Sequence, residues 1–173
     1  MGRAESPLRI DAILETLSEF GVEFVVVGGV AVQAHGYLRG TGDLDIVPKP
    51  TLLNLSRLGE ALSDLDALPW RSTLPVDVTD PQLLKRMPLV PLVTRYGRLD
   101  LLNIDQLSGA PGSFDELRER ALVVDLDSTE VAIAGVDDLV RMKRAAGRPQ
   151  DLIDIGALTR SDEDLEREAR EAT

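Results

Sequence analysis

Apolar and polar positions alternate along the chain at two periods. Ile10, Ile13, Leu14, Leu17 and Phe20 recur at helical spacing, so the chain opens on an amphipathic helix, capped by Ser6-Pro7 and stopped by Gly21. Residues 22–27 read as the first strand, and the apolar run Phe24-Val25-Val26-Val27 within them predicts that it is buried. A short helix over 29–36 and a polar loop from Tyr37 to Gly42 follow. Residues 43–47 read as a second strand closed by Pro48 and Pro50. Thr51 caps a helix through about Leu65, with Leu52, Leu55, Leu58 and Leu62 on one face.

Beyond it, Leu74 to Val78 reads as a short strand and Pro81 to Arg86 as a helical turn. Val90 to Tyr96, Gly97 and Arg98 to Asn103 form a hairpin pattern. A helix from Phe114 to Arg120 precedes two strands, Ala121 to Leu126 and Glu130 to Ala134. Gly135-Val136-Asp137-Asp138 opens a helix that Gly147-Arg148-Pro149 breaks. Asp151 starts another to Leu158, and Ser161 caps a last, acidic one. The order αβαβα, then mixed strands, then helices predicts an α+β fold: a small mixed β-sheet flanked by helices, with a helical C-terminal segment. The length of 173 residues suits one domain, 1–173, with its core at about 7–134 and the helical segment at about 135–173.

Composition narrows the setting. The chain is 43% hydrophobic but only 3% aromatic, so aliphatic side chains fill its core. No apolar run approaches the ~20 residues of a membrane helix, and MGRAESPLRI has no apolar signal region. There are no cysteines, which removes thiolate chemistry and fits a cytoplasmic setting. The net charge of −11 disfavours an extended nucleic-acid footprint, because attraction to phosphates supplies most of such affinity. The acidic tail SDEDLEREAREAT reads as a solvated helix or a docking segment for a basic partner.

The chemistry concentrates in FVVVGGVAVQAHGYLRGTGDLDIV. Gly28 and Gly29 end the first strand at a helix start, a place suited to an anion. Asp43 and Asp45 lie at i and i+2 in the second strand and therefore share a face. The glycine spacing fits no Rossmann fingerprint, and no Gly-Lys-Ser/Thr of a P-loop occurs. Two carboxylates beside an anion site suit a metal ion paired with a phosphate. Phosphoryl and nucleotidyl transfer need the phosphates positioned and their charge neutralised, and Mg²⁺ accepts a few carboxylates for that purpose. The best third ligand is Asp100, a charge in the apolar run Leu99-Asp100-Leu101-Leu102 that is costly if buried unpaired and is explained if Asp100 faces Asp43 and Asp45 across adjacent strands. Asp77, between Val76 and Val78, competes with it.

The order Gly28-Gly29, Asp43-x-Asp45 and a later strand aspartate resembles the nucleotidyltransferase superfamily typified by DNA polymerase beta. GGVAVQAHGYLRGTGDLDI, with Arg39-x-Thr41-x-Asp43, is similar to its minimal bacterial branch, including the AbiEii-type and MenT-type toxin nucleotidyltransferases. The likeness is strongest over residues 22–47. It implies a nucleotidyltransferase fold, an NTP donor such as ATP, and Mg²⁺ or Mn²⁺ held by Asp43, Asp45 and Asp100. A nucleoside monophosphate passes to an acceptor hydroxyl with release of pyrophosphate. The toxin relatives imply a tRNA 3′ end as acceptor and a partner antitoxin; a small molecule of the aminoglycoside or lincosamide type is the alternative. A catalytically silent nucleotide-binding module is the third reading.

The same resemblance implies the remaining site residues. Gly28 and Gly29 offer backbone N–H groups to the β- and γ-phosphates; many relatives have Gly-Ser there. Arg39 and Thr41 lie in the loop that delivers the aspartates and imply a phosphate contact. Lys143 on its C-terminal helix faces the triphosphate, and Arg148 and Asp151 join it. Asp151 either caps the helix it begins or orients Lys143 or Arg148. Lys85, Arg86, Arg95, Arg98, Arg141, Lys143, Arg144 and Arg148 offer a local basic patch. His35, the only histidine, reads as a packing or hydrogen-bonding residue, and Trp70 as a core plug rather than a base-stacking platform.

Overall fold

The computed structural model describes residues 6–72, 75–107, 109, 112–127, 129–160 and 162–172. Helix α1 (Ile10–Glu19) leads into strand β1 (Phe24–Val27), helix α2 (Gly28–Ala34), strand β2 (Asp43–Pro48) and helix α3 (Leu52–Asp64). A two-residue strand β3 (Leu68–Pro69), helix α4 (Pro81–Arg86) and the hairpin β4 (Leu89–Thr94) and β5 (Gly97–Leu102) follow. After a 3₁₀ turn at Ile104–Gln106 come helix α5 (Phe114–Glu119) and the second hairpin, β6 (Leu122–Leu126) and β7 (Thr129–Ile133). Helices α6 (Val136–Ala146), α7 (Pro149–Leu158) and α8 (Asp162–Glu171) close the chain.

The seven strands form one mixed sheet in the order β3-β4-β5-β2-β1-β7-β6. Strand β1 runs antiparallel to β2 and parallel to β7, and β2 runs parallel to β5. All four residues of β1 are buried, as its continuous apolar run requires of a central strand. In β2 and β5 the pattern alternates: Leu44, Ile46, Leu99 and Leu101 enter the core, while Asp43, Asp45, Arg98 and Asp100 are only partly covered. That alternation frees one face of two adjacent strands for polar side chains. Buried Asn54 ties the far ends of β1 and β2 to α3: its Nδ2 donates to the carbonyls of Glu23 (2.8 Å) and Lys49 (3.0 Å), and its Oδ1 accepts from Glu23 N (2.8 Å). Among the described residues no helix is long and apolar enough to cross a membrane.

Several sequence expectations shift. Helix α1 starts at Ile10 with Arg9 at its N-cap, so Ser6-Pro7 precede it without capping it. Thr51 does cap α3, its side chain accepting from Asn54 N, but Leu52 stays exposed while Leu55, Leu58 and Leu62 are buried. Of the expected strand at Leu74 to Val78, Leu74 lies outside the described residues and 75–78 form no strand. Asp77 there folds into a turn, accepting from Thr79 N (2.9 Å) and Oγ1 (2.6 Å). Strand β3 takes the edge position instead; two residues, one a proline, give no periodic signal to read. Helix α7 begins at Pro149, not Asp151: a proline ends the preceding helix but is equally suited to the first helical position. Ser161 lies outside the described residues.

Candidate active site

The parallel pairing of β2 and β5 places Asp45 opposite Asp100 and Asp43 opposite Arg98. Asp43, Asp45 and Asp100 each offer a carboxylate oxygen, all within 4.8 Å of one another. Asp77, the competing third ligand, is exposed and outside this cluster. Three carboxylates so close repel one another. Burial, with the charges of Asp43 and Asp100, pushes the Asp45 carboxyl up to about 7. Burial and Asp43 also raise Asp100, against the pull of Arg98. A partly buried all-oxygen donor set of this kind fits a hard divalent cation, which would supply the missing positive charge.

The glycines are needed for close approach. Gly28 has φ +68°, and a Cβ there would lie 2.0 Å from Asp45 Oδ2. Gly29 lies beneath the loop that carries the aspartates: a Cβ would sit 2.8 Å from Arg39 Nη2 and 2.9 Å from Thr41 Oγ1. A side chain at position 29 would therefore collide with Arg39 and Thr41 where they now stand. Gly29→Ser should cost about 1–3 kcal/mol through overpacking against a tethered loop. Thermal denaturation reads that loss.

Arg39 and Thr41 are engaged with the protein. The Thr41 hydroxyl donates to the Asp43 carbonyl (3.0 Å) and reaches its Oδ1 at 3.4 Å, orienting that carboxylate. Arg39 pairs with Asp154, with Nε 3.0 Å from Oδ1 and Nη2 donating to Oδ2 at 3.2 Å. Asp154 is fully buried and also binds Lys143 Nζ at 2.7 Å and Gln150 Nε2 at 2.9 Å. Lys143, itself buried, reaches Asp151 at 3.4 Å. Asp151 accepts from the Arg148 backbone N (3.0 Å) and Nε (2.8 Å), so it both caps α7 and holds the arginine. Burial raises Asp151 and Asp154. The cations and hydrogen bonds around them outweigh it, and both carboxyls lie below the usual range.

This network joins the loop before β2 to α6 and α7, and Asp154 at its centre escaped the sequence reading. The available signal was Asp151-x-x-Asp154: at i and i+3 the two acids share a helix face. The sequence offers Arg98 as part of a basic patch, and its i, i+2 relation to Asp100 also puts both on one strand face. The patch itself disperses. Lys143 is buried in the network, Arg95 pairs with Asp64 at 3.2 Å, and Arg98 contacts the triad. Trp70 is half-buried and belongs to no core cluster; the guanidinium of Arg98 lies 3.6 Å over its ring and that of Arg71 4.1 Å. His35 Nε2 lies 2.8 Å from the Ala134 carbonyl, the hydrogen-bonding role read for it.

A cavity of about 410 Å³ opens beside Asp45 and Gly28. Leu89, Leu102, Leu107, Leu139 and Met142 give it apolar walls, while Lys143 and Arg148 face it from the C-terminal helices.

A nucleotidyltransferase fold thus carries an aspartate triad on two paired strands beside a mixed apolar and cationic cavity. The fold is similar to that of a Thermotoga maritima protein of known crystal structure, provisionally assigned as a nucleotidyltransferase. The two are 12% identical, with 96% of this chain and 97% of that one covered and a TM-score of 0.53. The sequence significantly matches no protein-family model and no curated protein.

Proposed function

We propose that the protein is a metal-dependent nucleotidyltransferase that moves a nucleoside monophosphate from an NTP to an acceptor hydroxyl, releasing pyrophosphate. The convergence of Asp43, Asp45 and Asp100 on one face of β2 and β5 carries this reading. These three residues would hold Mg²⁺ or Mn²⁺, which neutralises phosphate charge and lowers the pKa of a coordinated hydroxyl. Gly28 lines the cavity with bare backbone while Gly29 packs beneath Arg39 and Thr41, and Lys143 and Arg148 supply cations across the cavity. The apolar walls suit a nucleoside. Arg39 and Thr41, for which the resemblance implies phosphate contacts, act in this reading on the loop that aims Asp43. The site draws on residues before 134 and after 135 alike, which supports one domain over 1–173. A cytoplasmic location is part of the same reading.

The acceptor we favour is a tRNA 3′ end, with a partner antitoxin, on the strength of the motif resemblance. The net charge of −11 favours the alternative, a small polycationic acceptor of the aminoglycoside type. Labelled NTPs with Mn²⁺ offered first to total tRNA and then to an aminoglycoside panel separate the two. Label on tRNA selects the first and label on the drug the second. No transfer to either, with no metal-dependent NTP binding, would leave a silent module and overturn the enzyme reading.

A further inference from the structure

Arg98 occupies the position of a cation at the triad. Its Nη2 lies 3.5 Å from both Asp43 Oδ2 and Asp100 Oδ1. Asp45 makes neither contact, so one guanidinium serves two of the three acids. Its position follows from the strand: alternation along β5 turns residues 98 and 100 to one face, and the register sets Arg98 beside Asp43. The other side of the guanidinium has its own support, 3.6 Å over the ring of Trp70. A planar, weakly hydrated cation gains from an indole face without needing a carboxylate. Contacts of 3.5 Å are long for a charge-assisted hydrogen bond, so the arginine is held loosely at the acids and keeps its Trp70 contact as a support when they are taken.

We propose that Arg98 is the resident counter-ion of the triad and competes with a divalent cation for Asp43 and Asp100, so that it sets the metal affinity of the site. This inference rests on the reading of the triad as a metal site. The opposite role is physically distinct: an arginine that merely orients the carboxylates would strengthen metal binding, and its loss would weaken it. Competition reverses that sign, because a unit positive charge a few ångströms from the ion is removed.

Calorimetric titration of nucleotide-free protein with Mg²⁺ measures the sign. Arg98→Gln is expected to tighten Mg²⁺ binding about tenfold, with Arg98→Lys, which keeps the charge, close to the parent. Unchanged or weaker binding in folded Arg98→Gln protein overturns the proposal. A second arm needs no variant. Trp70 is the only tryptophan, so withdrawal of Arg98 from the acids should change its emission during Mg²⁺ titration, with the calorimetric midpoint. If Arg98→Gln does not fold, this arm decides: emission that follows binding supports competition, and emission indifferent to bound metal overturns it. Absence of binding heat in every protein, parent included, would instead overturn the triad as a metal site.

Discussion

Asp45→Asn is expected to abolish nucleotidyl transfer while raising the melting temperature of the metal-free protein. Both effects have one cause. In the folded chain the Asp45 carboxyl is pushed up to about 7 by burial and by Asp43 and Asp100, whereas an unfolded aspartate titrates near 3.9. The folded state therefore binds the extra proton between those values, and stability falls as pH rises through that window. Below about pH 4 both states are protonated and Asp45 costs nothing. Above about pH 7 the cost is complete, on the order of 4 kcal/mol at most, which is at most about 8–16 °C in a chain of this size. Asparagine carries no charge and avoids it. The melting temperatures of parent and variant in EDTA should thus coincide near pH 4 and diverge steadily to pH 7. Excess Mg²⁺ at pH 8 should stabilise the parent and leave the variant unmoved. Activity runs the other way: without one of the three carboxylates the phosphates lose their organised charge, and transfer should drop by at least about 10³-fold. Full transfer by the asparagine protein would remove Asp45 from the metal site. A parent melting temperature that rises from pH 5 to 7 relative to the variant would contradict the electrostatics.

How far the sequence discloses this site depends on the range over which its signals act. Val25-Val26-Val27 followed by Gly28 marks a buried strand and its exit without knowledge of anything distant, and the structure has both. Asp43 and Asp45 share a face by strand alternation alone. The choice of Asp100 over Asp77 already needed a long-range argument, the cost of a charge in an apolar run; the β2–β5 register places Asp100 beside Asp45. Local patterns cannot say where Arg39 ends. It lies 115 residues from Asp154, and only the fold brings them together. Arg98 and Trp70 are invisible as a pair for the same reason, since β3 is too short to announce itself and Trp70 follows it. The helix boundary at Pro149 failed differently: proline is a strong local signal with two meanings, and Asp151 supplied a plausible cap for either.

Asp154→Ala is expected to be the most destabilising single substitution among the site residues. Asp154 is fully buried and is the closest ionic partner of buried Lys143, at 2.7 Å, while also holding Arg39. Its removal leaves Lys143 with only the 3.4 Å contact to Asp151 and frees the loop that covers Gly29. Breaking a buried pair from one side costs about 3–5 kcal/mol, because the remaining charge is desolvated without compensation. Against a total stability of roughly 5–15 kcal/mol, a melting temperature about 10 °C lower is expected. The decisive comparison is a double-mutant cycle. If the cost is the stranded ammonium, Lys143→Met combined with Asp154→Leu should be less destabilised than Asp154→Ala, despite carrying two changes. Additive losses would mean that Asp154 acts chiefly through Arg39. In that case Arg39→Met alone should reproduce most of the Asp154→Ala loss, and the network would serve to anchor the loop rather than to neutralise a lysine.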